Sequence, residues 1–184
     1  MTILPIDEIN ALEERLAIHF EDGRIRSERD RDDIIDELYD LFLLAYMDGV
    51  ESVNATMNVQ IKPSAETVRE TIFEKINGKT WEDRVRDYYD NGGTLADIAR
   101  IGATEAHRDA NEAAYNTARD AGATKKVWHC MMLPTSRDDH IWLDGVEAPI
   151  DGYFYAPGGE RTLYPGQWGV AEQDCNCLCW LTYE

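Results

Sequence analysis

Positive charge is scarce in this chain. Against 36 Asp and Glu there are 18 Lys and Arg, a formal net charge of −18. The deficit runs throughout, with 12 basic against 23 acidic residues in 1–100 and 6 against 13 in 101–184. A protein that holds nucleic acid by releasing counterions needs clustered Lys and Arg, so strong autonomous nucleic-acid binding is disfavoured. Adhesion to an anionic membrane is disfavoured for the same reason. Long apolar runs are missing too: the longest, 41–47, is far too short to span a bilayer. Residues 1–10 carry two acids and no base, unlike a secretory signal. The expectation is a protein kept in a cytoplasm or packaged there.

Cysteine is absent from the first 129 residues. All four, Cys130, Cys175, Cys177 and Cys179, lie in the last third. Such crowding in a cytoplasmic chain suggests metal or redox chemistry more than a disulfide framework. Also missing are GxSxG, a P-loop, GxGxxG and HExxH, and no ordered set of nucleophile, base and orienting group stands out. The expectation is that the protein is not an enzyme.

What is present is enough for a core. Hydrophobic residues are 43% of the 184 and aromatics 10%, which excludes wholesale disorder. Residues 1–122 read as helices. Pro5 suits a first turn, with Ile6, Ile9, Leu12 and Leu16 following at helical spacing. Ser27/Asp30, Thr80/Asp83 and Thr94/Asp97 have capping-box spacing. Ile34, Ile35, Leu38, Leu41, Phe42, Ala45 and Tyr46 form an amphipathic face, with Gly49 as its end or bend. Pro63-Ser64 restarts a helix through Ile76, and an Ala-rich helix runs from about Leu95 to Ala121. After Gly122 helical spacing is lost and Pro and Gly punctuate short segments. Lys126–Leu133 and Cys175–Tyr183 read as strands. The fold class is α+β: an N-terminal helical region, then a small mixed sheet with long loops.

Cys175, Cys177 and Cys179 would share one face of a strand. One straight strand cannot bring three such thiols to a single tetrahedral ion without a bend. Cys130, His140 or His129 could complete a Cys/His zinc set; the thiols could equally be small packing residues. His140, flanked by acids in Arg137-Asp138-Asp139-His140, suits a ligand or general base, or a loop-holding group. Glu105 and Arg108, three apart on the long helix, suit a surface ion pair. The closing strand is expected beside Lys126–Leu133, bringing Cys177 and Cys179 near Cys130 and His140. Trp128, Trp142, Trp168 and Trp180 are expected to be buried around them.

The order of these segments is familiar. A helix bearing Thr104-Glu105 precedes Lys126-Val127-Trp128, Arg137…His140, Leu143-Asp144-Gly145, Pro165-Gly166 and Asn176-Cys177-Leu178-Cys179. Over about 95–182 this resembles the Mu F-like phage head morphogenesis family of minor capsid proteins. Ala103, Gln167 and Leu178 stand where the family pattern has Arg, Asp and Arg. The resemblance implies a phage structural protein in the virion, at the head interior or portal, with the portal and/or major capsid protein as partner. It implies a head morphogenesis domain over 95–184, preceded by a helical arm over 1–94. The face including Ile35, Leu38, Phe42 and Tyr46 would be the main apolar contact of that arm, against its own helices or another virion protein. Two alternatives are a metal-dependent enzyme or toxin-like domain using His140 with Glu105 or Asp144, and a zinc-stabilised interaction module of prophage origin.

Overall fold

The computed structural model describes residues 6–184, Ile6 by its backbone alone. Pro5 lies outside the described residues. Helix α1 spans Ile6–Leu16 and leads through a 3-10 turn, Ala17–His19, into a short hairpin of β1 (Phe20–Glu21) and β2 (Arg24–Ile25). Asp22 and Gly23, both at positive φ, make the turn that an Asp-Gly pair favours. Helices α2 (Glu28–Met57), α3 (Ala65–Ile72), α4 (Trp81–Asn91) and α5 (Leu95–Asp120) follow.

Caps set the starts of these helices. Thr80 with Asp83 and Thr94 with Asp97 form reciprocal capping boxes. Ser27 accepts the Asp30 amide, but the Asp30 carboxylate turns to the Ser27 hydroxyl, Arg26 and His19, so that box is half made. The segment through Ile76 leaves the helix after Ile72, and Ile76 pairs with Lys79 across a turn instead.

Helix α2 does not end at Gly49; it continues to Met57. Gly49 is where α5 crosses, and a Cβ there would collide with the Ala110 carbonyl oxygen. The α5 side of the crossing is built of small residues, Ala106, Ala110, Ala113 and Ala114, all buried. Leu12, Leu16, Ile34, Leu38, Phe42, Trp81, Val85 and Ile98 fill the core around it. Leu38, Phe42 and Tyr46 are buried and Ile35 half-buried, so the apolar face of α2 is occupied by the chain's own helices. Of the two partners expected for that face, the chain's own helices are the ones seen to cover it. Helices α1, α3, α4 and α5 all pack on α2.

Beyond α5 the chain forms β3 (Lys125–His129), α6 (Asp138–Leu143), β4 (Glu147–Pro149), β5 (Phe154–Tyr155), β6 (Arg161–Thr162), α7 (Ala171–Asp174) and β7 (Trp180–Tyr183). The main sheet has the order β4-β3-β7, and β5 pairs with β6. Every pairing is antiparallel, which corrects the expectation of a mixed sheet. A parallel pair needs a crossover element lying along the sheet, and α6 and α7 are only 6 and 4 residues long. The closing strand does lie beside β3, with Trp128 opposite Leu181. Both expected strands are shorter than their apolar runs. Met132 and Asn176, at φ 52° and 56°, turn the chain out of extended conformation.

A second core packs Tyr115, Trp128, Leu143, Phe154, Tyr164, Trp168 and Leu181. Helix α5 thus serves both cores, with alanines toward α2 and Tyr115 toward the sheet. Trp128 and Trp168 are buried and Trp180 half-buried, but Trp142 is 82% exposed. On α6 the inward face is taken by His140 and Leu143, three apart, which leaves Trp142 pointing out. Glu105 and Arg108 are not a surface pair. Each is only 3% exposed, because α5 is covered on both sides. No helix among the described residues is long and apolar enough to cross a membrane.

Candidate metal centre

His140 is presented by α6 with its ring stacked on Trp168 and edge-on to Trp128, centroids 6.0 and 5.9 Å away. Its Nε2 lies 2.9 Å from Gln173 Oε1, and the Gln173 amide donates to Asp139 at 3.0 Å. A glutamine whose NH₂ is spent on Asp139 turns its oxygen to the ring. The His140 Nε2 therefore carries the proton and Nδ1 is left as a lone pair. That Nδ1 is 3.4 Å from both Cys177 Sγ and Cys179 Sγ. The three donor atoms lie within 4.8 Å of one another, and all three residues are buried. This cluster could hold a metal ion.

The left-handed turn at Asn176 is the bend that a straight Cys-x-Cys-x-Cys strand lacks. It selects two of the three thiols. Cys177 and Cys179 face His140, while Cys175 is half-buried, outside the cluster, and gives its carbonyl to Arg137. From the other side, α5 holds the turn. His107 Nε2 is 2.8 Å from the Cys179 carbonyl, and Asn111 Nδ2 is 3.4 Å from the same oxygen. The Cys179 thiol beside it holds the Cys177 thiol well below its ordinary pKa, with help from His107 and His140. Cys179, as the neutral donor to that anion, is pushed up, and burial adds to the shift. The cluster thus favours at least one thiolate, the form that binds metal.

The other expected site residues divide plainly. Cys130 is buried and lines, with His140, Cys177 and Cys179, a cavity of about 170 Å³, but it is not one of the three clustered donors. His129 stacks on Trp180 and reaches Thr182 Oγ1 at 2.8 Å, away from the thiols. Asp144 Oδ1 accepts the Cys130 amide at 2.9 Å, and Gly145, at φ 76°, donates to the Trp128 carbonyl. Arg137, Asp144 and Gly145 therefore brace the loops that carry Cys130 and Cys175, on either side of the helix that bears His140. Neither Glu105 nor Asp144 is a hydrogen-bond partner of His140, so the pairing imagined for an enzyme is not formed. Glu105 instead pairs with Arg84 and, at 2.9 Å, with Arg108. Thr104 Oγ1 is buried beside them without a partner. Lys126 is buried against the Tyr115 and Phe154 rings, its Nζ 4.8 and 5.5 Å from their centroids, and burial draws its pKa down to about 8.

Gly166 lets the Pro165-Gly166 loop lie on α5. It sits at φ 90°, and a Cβ there would be 3.0 Å from the Arg108 Cα. Sequence reasoning missed His107, Asn111 and Gln173. The first two carried a signal, since positions i and i+4 share one helix face; Gln173 carried none. No protein-family model matches the chain, and no curated protein or solved structure matches it significantly.

Proposed function

We propose that the chain is a bacteriophage minor head protein. It acts through protein contacts in head assembly, genome packaging or delivery, and a structural zinc ion at His140, Cys177 and Cys179 closes its C-terminal half. One observation carries the reading. The motif residues that resemble the Mu F-like family are scattered in sequence yet build and brace one centre. His140, Cys177 and Cys179 are its donors. Trp128 packs on the His140 ring, and Arg137 ties the Cys-rich turn. Asp144 and Gly145 fix the loop between β3 and α6, and Pro165-Gly166 seats on the Thr104-Glu105 helix. Such a set of segments, each weak alone, makes sense as one module.

Zinc suits thiolate and imidazole donors in a buried, closed setting. The second core is small, and a metal that couples binding to folding would supplement it. The partners in this reading are the portal and/or major capsid protein, and the place is the virion. A net charge of −18 favours protein partners over coating of packaged DNA. The protein has no catalytic role here. Mass spectrometry of purified virions from the phage encoding this chain should find it together with the portal protein. Its confinement to the soluble lysate, with virions free of it, would sink the proposal.

A further inference from the structure

We infer that the fourth zinc ligand is His107 of α5, through Nδ1, giving a Cys2His2 site; this rests on the zinc reading above. His107 is 1% exposed, and its Nδ1 is buried without a hydrogen-bond partner. Its imidazole neighbours Cys177, and its Nδ1 lies 3.2 Å from where a Cβ on Gly166 would sit. Its other nitrogen, Nε2, lies 2.8 Å from the Cys179 carbonyl and 3.2 Å from the Asn111 amide nitrogen; the nearer of the two is an acceptor and calls for a proton on Nε2. His140 is arranged alike, with Nε2–H on the Gln173 oxygen and Nδ1 toward the thiols. Metal-binding histidines are characteristically fixed in this manner, the distal N–H on an oxygen and the proximal lone pair on the ion. Two buried imidazoles, each with Nε2 on an oxygen, together with two thiols make up a tetrahedral N₂S₂ set. His107 Nδ1 is not among the three atoms that lie within 4.8 Å of one another, so coordination requires the side chains to close on the ion.

The competing donors fit less well. Asp174 uses both carboxylate oxygens on the Trp168 and Gly169 amides, at 3.0 and 2.8 Å. Cys175 lies outside the cluster. Cys130 lines the cavity, but as a third thiolate it would leave the site with a net negative charge. Two thiolates, two neutral imidazoles and Zn²⁺ sum to zero. A buried site beside Asp139 and Asp174, in a chain already at −18, favours the neutral set. The thiol protons leave to solvent as the metal enters.

The test uses the full chain loaded with zinc or cobalt(II). X-ray absorption of the zinc form should fit two sulfur and two nitrogen ligands; three sulfurs and one nitrogen would overturn the assignment. In the cobalt form, Cys130→Ser should leave the thiolate charge-transfer band unchanged. His107→Cys, which keeps a donor in place, should raise that band by about half, from two thiolates to three. An unaltered band in His107→Cys, or one lowered by about a third in Cys130→Ser, would exclude His107. Should His107→Cys fail to fold, the sulfur-to-nitrogen count of the unmodified chain still decides. Wild-type protein that takes up no stoichiometric metal defeats the zinc reading itself. Stoichiometric metal with the wrong ligand count defeats only the choice of His107.

Discussion

Arg108 has three carboxylates around it and almost no water. Glu105 Oε2, Asp109 Oδ1 and Glu74 Oε2 lie 2.9, 3.0 and 3.7 Å from its guanidinium. Asp109 is fully buried, and burial pushes its carboxyl well above the usual range although Arg108 opposes the shift. Removing one partner of such a set leaves the rest stranded. Arg108→Met should therefore cost about 3–5 kcal/mol in urea unfolding. Arg108→Met with Asp109→Leu should recover part of the loss, since replacing both partners with apolar groups removes the stranded charge. A single mutant within about 1 kcal/mol of wild type would show that water reaches the network. The spacing of Glu105 and Arg108 was visible in the sequence, but their burial was not. Charges three apart on an amphipathic helix usually face solvent, and here both sides of α5 are covered.

Among the elements, helix starts and the two-part division were the most legible. Thr80/Asp83, Thr94/Asp97 and the loss of helical spacing after Gly122 are local signals with local causes. Strand ends were less legible, because Met132 and Asn176 enter the left-handed region without being glycine. The place of Gly49 has a tertiary reason. Glycine inside a helix usually weakens it by about 1 kcal/mol relative to alanine, but here α5 needs the space. Gly49→Ala gains that helix propensity and drives a methyl group into the Ala110 carbonyl. Overpacking of this kind costs about 1–3 kcal/mol, and more where backbone must move. The collision wins, so melting should fall by roughly 4–8 °C for a net loss of about 2 kcal/mol. A melting temperature equal to or above wild type would mean that α2 and α5 can separate freely at the crossing.

At the scale of the whole molecule, the candidate site was half legible. Cys177, Cys179 and His140 stood out by residue type, and their meeting follows from antiparallel pairing of β3 with β7. His107 stood out less, since its i, i+4 spacing to Asn111 marks a shared helix face but not which surface will cover it. That covering joins the two cores: α5 packs its alanines on α2, and His107, next to Ala106, pins the Cys179 carbonyl. The halves differ in what holds them. The helical core interlocks long elements around Leu38, Phe42, Trp81 and Ile98. The sheet half has strands of 2 to 5 residues, and its loops converge on the thiol cluster. Metal bound only by the folded state stabilises whatever must open to release it. Local opening, and not only global unfolding, sets amide exchange. Chelation of the zinc-loaded protein should therefore speed exchange of the Trp128, Leu143 and Leu181 amides by tenfold or more. That corresponds to about 1.4 kcal/mol of lost local stability. Amides of Ala113–Ala118 in α5, held against α2 and beyond the turn carrying His107, should change little. Equal acceleration in both halves would mean that they open as one unit. No acceleration in the sheet half would mean that Trp128, Trp168 and Phe154 close it without help from the metal.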